Sequence, residues 1–426
     1  MRPCIPRSSR GTRFLSLFLC LLLSPAIRLH ASQAPLTLVD AVQRGVARAP
    51  LIRADRDTIA ASRARADRAG RLPDPSMSLG IANYPVTAPD TLRWGADPMT
   101  MRTIGITQEI PSEALRTAEQ RRADAGVDVA IATRAVTIER TQERVADAWI
   151  AVWALGRRRT ELIELRAESR LAVQVAKARL KGGDGTATDV LAAEAAALTL
   201  ENRIDAVDAA REAARAELRR WVGSGANRLA APPDFARLPQ APAMLETRVD
   251  RQVPMDLWRA REGAAAAAFA EAQATKHPDW SVGVAYGNRS PGRSDMVSLQ
   301  FSVSLPVFSR HRQDPAIDAA DDDWRAVQAE HRDARRAQRA AVAARLAVWR
   351  GWTRRIDRDR GQLLPLARDR ARTALAAYRG GGSLQPWLEA RRDEIASRLS
   401  YVDALAARAE QWTALAYLMP AKGELP

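Results

Sequence analysis

Cysteine and histidine are nearly absent from this sequence of 426 residues, which contains two cysteines and four histidines. Both cysteines, Cys4 and Cys20, lie near the N-terminus, so the rest of the chain needs no disulfide, metal thiolate or thiol nucleophile. The histidines after residue 34 are His277, His311 and His331, and their spacing is not that of metal ligands. The sequence therefore predicts no metal site and no cofactor.

Aromatic residues are also scarce, at 5% of the chain, and much of the 46% hydrophobic content is alanine. Such a composition, with 27% charged residues, favours long, closely packed helices over a bulky core. The stretch "KGGDG" at residues 181–185 lacks a Walker or dinucleotide-binding pattern, and no serine, histidine and acid arrangement is evident. We therefore expect a protein that is not an enzyme.

The first 34 residues have the organisation of an export signal. A basic segment with Arg2, Arg7, Arg10 and Arg13 precedes the apolar run "FLSLFLCLLL" and a stretch of small residues. The run is too short to cross a bilayer as a mature helix, although a plain N-terminal anchor is the alternative. Cys20 lacks the preceding small residues of a lipidated cysteine, which disfavours a lipid anchor.

The net charge of +15 and the pI near 10.9 raise nucleic acid as a partner. Without residues 1–34, which carry five arginines and no acid, the charge is about +10. The remaining arginines are mixed with nearly as many acids, as on solvated helix surfaces, and export would separate the protein from nucleic acid. We predict no nucleic-acid partner; a basic nucleic-acid binder would require the export signal to be spurious.

An internal repeat with a period of about 200 residues organises the chain. "PSMSLGIANY" from residue 75 aligns with "PDWSVGVAYG" from residue 278, and "RLKGGDGTATDVLAAE" from residue 179 aligns with "AYRGGGSLQPWLEAR" from residue 377. The predicted domains are a first repeat at 35–230, a proline-rich linker at 231–254, a second repeat at 255–420 and a tail at 421–426. Each repeat is predicted to be helix, strand, strand, long helix, glycine-rich turn and long helix.

Four segments alternate apolar residues with small or polar ones at a period of two, which predicts strands. In "MVSLQFSVSLP", for example, Val297, Leu299 and Phe301 alternate with Ser298 and Gln300. The predicted strands are at about 76–84, 103–110, 280–287 and 296–305. Each has about the length that one tilted strand needs to cross a bilayer.

Two environments fit this alternation: an ordinary amphipathic sheet over a helical core, or a membrane sheet with lipid on one face and water on the other. The helices offer mainly alanine for packing, which favours the membrane sheet. In lipid, backbone groups at open sheet edges are not tolerated, and four strands are too few to close a barrel. Several copies must then share one barrel, of eight strands for two copies or twelve for three.

Long helices are predicted from the absence of proline. Residues 112–180 contain none, and at 1.5 Å per residue such a helix would be on the order of 100 Å long. Residues 315–378 are similar, except that Pro365 should kink or divide the helix. The opening helix is predicted to run from Leu36 to about Arg71. Helices of this length pack as coiled coils or as the wall of a tube.

With these features, the chain resembles the TolC-like outer-membrane efflux proteins over essentially its whole mature length. The resemblance is carried by "LTLVDAVQRGVARAPLIRA", by the strands ending in "QEIP" and "VSLPVF", by "PPDFARLP" and by the two glycine-rich turns. It implies a mainly α fold with a small β part: four transmembrane strands per chain complete a trimeric barrel of twelve strands, continued by a long α-helical barrel in the periplasm.

The resemblance also implies the site. In the family, the periplasmic helix ends close into an aperture, and Asp189, Tyr378 and Glu389 match its polar links and its acidic ring. The turns that move would be Gly182, Gly183 and Gly185 in the first repeat and Gly380, Gly381 and Gly382 in the second. Pro386 and Ser383 depart from the pattern, at the places of a second carboxylate and of an arginine link. Alternatively, Asp189 caps a helix and Glu389 lies on a solvated face.

The function implied is a passive outer-membrane duct of a tripartite efflux system. Its partners would be two further copies, a periplasmic adaptor, an inner-membrane pump and outer-membrane lipid. "LPDPSMSLGIANYPV" and "DPMTMRTIGITQEIP" resemble the branch that serves heavy-metal cation pumps, although "SEALR" at 112–116 replaces its usual glycine-lysine pair. The alternatives are a drug-efflux or type I secretion duct and a periplasmic coiled-coil scaffold without a pore.

Overall fold

A computed structural model describes residues 34–419, apart from 88, 90, 224, 227 and 290. The predicted export signal and the C-terminal tail therefore lie outside the described residues, except for Ala34 at the end of the signal. The fold is mainly helical with one small sheet, which confirms the fold class predicted from the sequence. The helices are α1 Leu38–Arg48, α2 Pro50–Arg68, α3 Glu113–Gly182, α4 Ala187–Val222, α5 Pro242–Thr247, α6 Val253–Ala274, α7 Gln313–Arg358, α8 Leu364–Arg379 and α9 Gln385–Ala416.

The opening helix differs from the prediction because it is two helices. α1 ends at Arg48 and α2 begins at Pro50, with Ala49 in an extended conformation between them (φ −61°, ψ 119°). A proline disfavours helical backbone in the residue before it and is well accommodated at the first helical position. Pro50 therefore ends one helix and begins the next.

α3 is the longest element, with 70 residues, and would measure about 105 Å if straight. The side chain of Ser112 accepts a hydrogen bond from Leu115 N at its start, and Gly183 ends it in the left-handed conformation (φ 84°). No helix in the described part of the chain is both long and apolar enough to cross a membrane.

The corresponding helix of the second repeat is interrupted, as Pro365 predicts. α7 has 46 residues and continues into a π-helical turn at Asp359–Leu363, after which α8 begins with Pro365 in its first turn. Proline cannot donate its backbone nitrogen to the carbonyl four residues earlier, and the wider π turn accommodates that missing bond. Residues 313–379 therefore remain one long helical path.

The four strands form one antiparallel sheet in the order β1-β2-β3-β4. The strands are β1 Ser76–Ala82, β2 Met101–Ile110, β3 Trp280–Arg289 and β4 Met296–Val303. Each repeat supplies one pair of strands, and β2 pairs with β3 across the repeats from Met101↔Arg289 to Ile110↔Trp280. β1 and β4 are the two outer strands.

The register separates the side chains of the sheet into two faces. Met77 pairs with Ile106, Ile106 with Val284 and Val284 with Leu299, which gives one row of four apolar side chains on the same face. The adjacent row on the other face is Ser78, Gly105, Ala285 and Ser298. The apolar row is exposed: Met77 is 66% and Leu299 69% accessible. The helices therefore do not cover the apolar face of the sheet.

The buried residues form several small clusters along the long helices. In the first repeat, Trp149 is fully buried and its indole N–H donates to the backbone oxygen of Leu36 at 3.0 Å. In the second repeat, Trp349 donates in the same way to the backbone oxygen of Phe235 at 3.0 Å. Trp149 and Trp349, which align with each other in the internal repeat, thus each donate to a backbone oxygen that lies outside the helices.

The proline-rich segment 231–254 packs against the helices. Phe235 and Leu245 are 3% and 0% exposed, and the segment contains the short helix α5. Gln252 is fully buried, and its side-chain amide donates to the backbone oxygen of Leu245 at 3.0 Å. This connection is therefore part of the folded structure.

Candidate functional site

The two glycine-rich turns of the repeats lie beside each other at one end of the long helices. The first turn, residues 183–186, joins α3 to α4, and the second turn, residues 380–384, joins α8 to α9. Between the four helices lies an apolar cluster in which Tyr378, Leu384 and Trp387 of the second repeat pack with the first repeat. Its members from the first repeat are Ala172, Ala176 and Ala193. Alanine at these positions allows α8 and α9 to approach α3 and α4 closely.

Asp189 closes the start of α4 with Thr186. Asp189 N donates to the Thr186 hydroxyl at 3.1 Å, and the Asp189 carboxylate accepts from Thr186 N at 3.3 Å. This reciprocal pair is a capping box, in which two backbone donors that the helix leaves unpaired are satisfied. The alternative prediction, that Asp189 caps a helix, thus describes its hydrogen bonds in the structure.

Tyr378 is 1% exposed, within the apolar cluster. Burial raises the pKa of its hydroxyl; the Arg179 guanidinium acts in the opposite direction, and the Asp189 carboxylate raises this pKa further. The Asp189 carboxylate is therefore near enough to act electrostatically on the Tyr378 hydroxyl. In the described part of the chain, however, the Tyr378 hydroxyl has no hydrogen-bond partner, so the two side chains are neighbours without a direct bond.

Glu389 lies on the exposed side of the first turns of α9. Its carboxylate accepts a hydrogen bond from the side-chain amide of Gln385 at 2.9 Å, one helical turn earlier. Pro386 occupies the first turn of α9, where its missing N–H is not needed. The Ser383 hydroxyl accepts from Gln385 N at 3.3 Å and is thus used within its own turn.

Arg179 is the residue at this site that the sequence analysis missed. It lies in the last turn of α3, and its guanidinium reaches both turns. Nη1 donates to the backbone oxygens of Tyr378 at 2.9 Å and Gly382 at 2.8 Å, while Nη2 donates to those of Asp184 at 2.9 Å and Gly381 at 3.2 Å. A basic residue directly before a glycine-rich helix end was the available sequence signal, since cations favour helix C-termini.

A second polar cluster lies further along α3, where three carboxylates recur at every fourth residue and face α7 and α9. Burial, and then the charge of Glu143, raise the pKa of Glu139 to about 7. Burial raises the pKa of Asp147 to about 6, although a hydrogen bond donated by the Thr413 hydroxyl at 2.9 Å acts against this. Glu139, Glu143 and Arg345 line a cavity of about 350 Å³ there.

The histidines do not form a metal site. His331 Nδ1 lies 2.6 Å from the Glu262 carboxylate, and its ring stacks on Trp258 with the ring centroids 6.5 Å apart. Across the described ranges, no group of three or more histidine, cysteine, aspartate or glutamate side chains is placed to hold a metal ion.

Comparison with known proteins finds similar solved structures but no match at the level of sequence. No protein-family model and no curated protein sequence matches the chain. Among solved structures, the outer-membrane channel OprN is 17% identical and matches with a TM-score of 0.75 over 90% of each chain. The outer-membrane protein VceC from Vibrio cholerae is 16% identical, with a TM-score of 0.73 over 89% of this chain and 95% of that chain.

CusC, whose structures concern conformational changes accompanying folding and transmembrane channel formation, is 16% identical and matches with a TM-score of 0.72 over 90% of this chain and 92% of that chain. At such identities the likeness is one of fold, and it extends over almost the whole length of both chains. The chain therefore has the fold of the TolC-like outer-membrane channels.

Proposed function

We propose that the protein is the outer-membrane channel of a tripartite efflux system, a homotrimer and a passive duct without enzymatic activity. It would accept substrate from an inner-membrane pump and a periplasmic adaptor. The observation that supports this most directly is the sheet, which exposes a continuous apolar face and has two outer strands. The similarity of fold to outer-membrane channels, which extends over about nine tenths of the chain, supports the proposal independently.

The sheet has the chemistry of a segment of barrel wall. Its strands have 7 to 10 residues, or roughly 23 to 34 Å. The 10-residue strands β2 and β3 have the length that a tilted strand needs to cross a bilayer, whereas β1 and β4 are two or three residues shorter. With four strands per chain, β4 of one copy would run antiparallel to β1 of the next. Three copies would then give a closed barrel of twelve strands in which every backbone group is paired.

The side chains on the inner surface of such a barrel would be small and uncharged over most of its height. The face opposite the apolar one has Ser, Thr, Gly, Ala and Gln in two central rows, among them Ser78, Thr107, Ser298 and Gln300, and Met296 lies in the next row. Short side chains leave space at the centre of a barrel of twelve strands. A wall without charge would pass solutes with little selection, so selection would fall to the helical end.

The test is reconstitution of the mature protein in planar bilayers, together with its extraction from membranes. A trimer that resists carbonate extraction and forms discrete ion-conducting channels is the expected result. A water-soluble monomer that passes no ions would overturn the proposal. A coiled-coil scaffold without a pore, the alternative from another class, would be released by carbonate or high salt.

The finer proposal is that the two turns form the gate and that Asp189, Tyr378 and Glu389 act in it. Three copies of Glu389 at a constriction would attract cations and repel anions. Replacing Asp189 with Ala and Tyr378 with Phe should raise single-channel conductance. Asp189→Asn is the control for the capping box, because its amide oxygen still accepts from Thr186 N while its charge is gone. Unchanged conductance in all variants would remove Asp189 and Tyr378 from the gate.

Heavy-metal cations are the favoured substrate class, on the resemblance of residues 72–86 and 97–111 to ducts that serve cation pumps. A drug-efflux or type I secretion duct is the alternative. Deletion of the gene, followed by a susceptibility panel of metals, dyes and antibiotics, distinguishes them. Selective sensitisation to metals supports the first, and sensitisation to dyes and antibiotics alone supports the second.

A further inference from the structure

Arg179 makes the polar connection between the two repeats at their turns. Three of its four backbone acceptors, on Tyr378, Gly381 and Gly382, belong to the second repeat, although Arg179 itself lies on α3 of the first. The guanidinium carbon also lies 4.7 Å from the centroid of the Tyr378 ring, within the range of a cation–π contact. One side chain thus contacts the end of α8, the second turn and the first turn.

The acceptors explain why arginine occupies this position. The backbone oxygens of Tyr378 and of the residues after it lie at the C-terminal end of α8, where carbonyls lack helical partners and the helix dipole is negative. A planar guanidinium presents donors in a fixed fork and can serve several carbonyls at once, which a lysine ammonium cannot match in geometry. Charge-assisted hydrogen bonds of this kind are about twice as strong as neutral ones.

Within the described residues, no other side chain of the first repeat donates or accepts a hydrogen bond to the second turn. The remaining contact between the repeats here is the apolar cluster of Tyr378, Leu384 and Trp387 with the alanines of α3 and α4. Apolar contact is not directional, so it would allow the helices to shift along each other. The hydrogen bonds of Arg179 are directional and fix the relative position of the two turns.

We propose that Arg179 is a latch that holds the second turn against the first, and that its release accompanies opening of the channel; this rests on the proposed function. The latch recognises main-chain carbonyls, so it depends on the path of the second turn more than on its side chains. Two glycines set that path. Gly381 has φ +102°, and a Cβ on Gly382 would lie 2.9 Å from the backbone oxygen of Ala377.

The experiment measures the distance between the turns and the conductance of the same variants. The sequence has no cysteine after residue 34, so spin labels can be placed at Lys181→Cys and Arg379→Cys, two exposed positions beside the two turns. Trimers are assembled with an excess of unlabelled chains so that the distance is measured within one protomer. The variants are Arg179→Gln, which removes the charge and the fork, and Arg179→Lys, which keeps the charge.

Lys177→Gln is the matched control. Lys177 lies on the same helix two residues earlier, and its ion pair with Glu194 at 2.7 Å stays within the first repeat. We expect Arg179→Gln to shift the distance distribution to longer values and to raise mean conductance about twofold or more, with Arg179→Lys between it and the wild type. Lys177→Gln should leave the distance and the conductance unchanged.

The two readouts separate failure of the latch from failure of the proposed function. A distance distribution that is the same in Arg179→Gln and the wild type overturns the latch, whatever the conductance. A longer distance with unchanged conductance shows that the contact holds the turns but does not gate, which also overturns the proposal. A wild-type protein that inserts in no bilayer, while Arg179→Gln still separates the turns, contradicts the channel and leaves the contact itself established.

Discussion

The Arg391 guanidinium and the Glu394 carboxylate form an ion pair inside the helical region, with Nη1 and Oε2 2.7 Å apart and the side chains 7% and 3% exposed. Both residues lie on α9, and further contacts of this pair reach α3. Arg391 Nη2 donates to the backbone oxygen of Leu165 on α3 at 3.2 Å, and Glu394 also accepts from Arg398 Nη2 at 2.7 Å. Arg398 in turn reaches Glu161 on α3 at 3.2 Å. α9 is thus held to α3 by a buried charge network a few helical turns from the two glycine-rich turns.

Replacing Glu394 with Ala should therefore be strongly destabilising. The variant leaves two largely buried arginines without their shared carboxylate, although Arg391 keeps Glu168 and Arg398 keeps Glu161 and Glu164 as partners. The cost should therefore lie near the lower end of the about 3–5 kcal/mol that removal of one partner of a buried pair brings. Thermal unfolding followed by the helical circular-dichroism signal measures the effect. Glu389→Ala, on the exposed side of the same helix, is the control and should change stability by less than about 0.5 kcal/mol. Equal midpoints for the two variants would show that the network contributes nothing.

Glu139 and Asp147 should make stability depend on pH. Their pKa values in the folded protein, about 7 and about 6, are higher than the ordinary values of 4.5 and 3.8. Between those limits the folded state binds more protons than the unfolded state, so the free energy of unfolding decreases as pH rises. The contribution of these two carboxyl groups to stability should be greatest near pH 4 and should fall progressively up to about pH 7.

Glu139→Gln and Asp147→Asn should each reduce that dependence, because a neutral amide does not lose a proton. Near pH 8 each variant should be more stable than the wild type, by roughly 1–3 kcal/mol. Unfolding midpoints from pH 4 to pH 8 provide the measurement. Glu212→Gln, an exposed carboxylate on α4, should leave the slope unchanged. A midpoint difference between wild type and each variant that stays the same from pH 4 to pH 8 would contradict the prediction.

The sheet and the long helices could be predicted from the sequence because each leaves a local pattern. Alternation at a period of two marks the strands, and the sequence places the end of β2 at 110, as observed. The proline-free stretch from 112 to 180 corresponds to α3 at Glu113–Gly182. The break at Pro50 was missed because the apolar positions continue through it, and periodicity alone does not register a backbone restriction.

The contacts of the candidate site were less accessible from sequence. Asp189 and Tyr378 stand beside glycine-rich turns that the repeat makes visible, but the bonds of Arg179 go to backbone oxygens about 200 residues away. Those contacts depend on where the second turn lies relative to α3, and the glycines that shape the turn do not by themselves reveal this position. Glu139, Glu143 and Asp147 did leave a signal, since like charges at every fourth residue are unfavourable on a helix face. This spacing indicates that the carboxylates lie in an unusual environment, but it does not reveal which helices bury them.

Gly381 and Gly380 should respond differently to alanine, although they are neighbours in the second turn. Gly381 has φ +102°, where an L-residue is strained, so Gly381→Ala should destabilise the turn by about 1–2 kcal/mol. Gly380 has φ −83°, and a Cβ there would lie at an ordinary 3.6 Å from its nearest neighbours, so Gly380→Ala should be tolerated. Thermal midpoints of the two variants provide the comparison, and equal values would contradict the observed path of the turn.

Leu299 and Ser298 are consecutive residues of β4 that point to opposite faces, so arginine at each tests which face meets lipid. Leu299 is 69% exposed in the apolar row, and Ser298 pairs with Ala285 on the polar face. An arginine on the lipid face near the bilayer centre costs about 2–4 kcal/mol, so Leu299→Arg should reduce insertion into liposomes and the yield of carbonate-resistant trimer. Ser298→Arg should insert normally, with lower conductance and a reversal potential shifted towards anions, because three added charges would line the channel. Serine or glutamine at position 299 serves as the uncharged control. Normal insertion of Leu299→Arg together with failed insertion of Ser298→Arg would show that the face of Ser298 meets lipid. Equal insertion of the two arginine variants would argue against a membrane sheet.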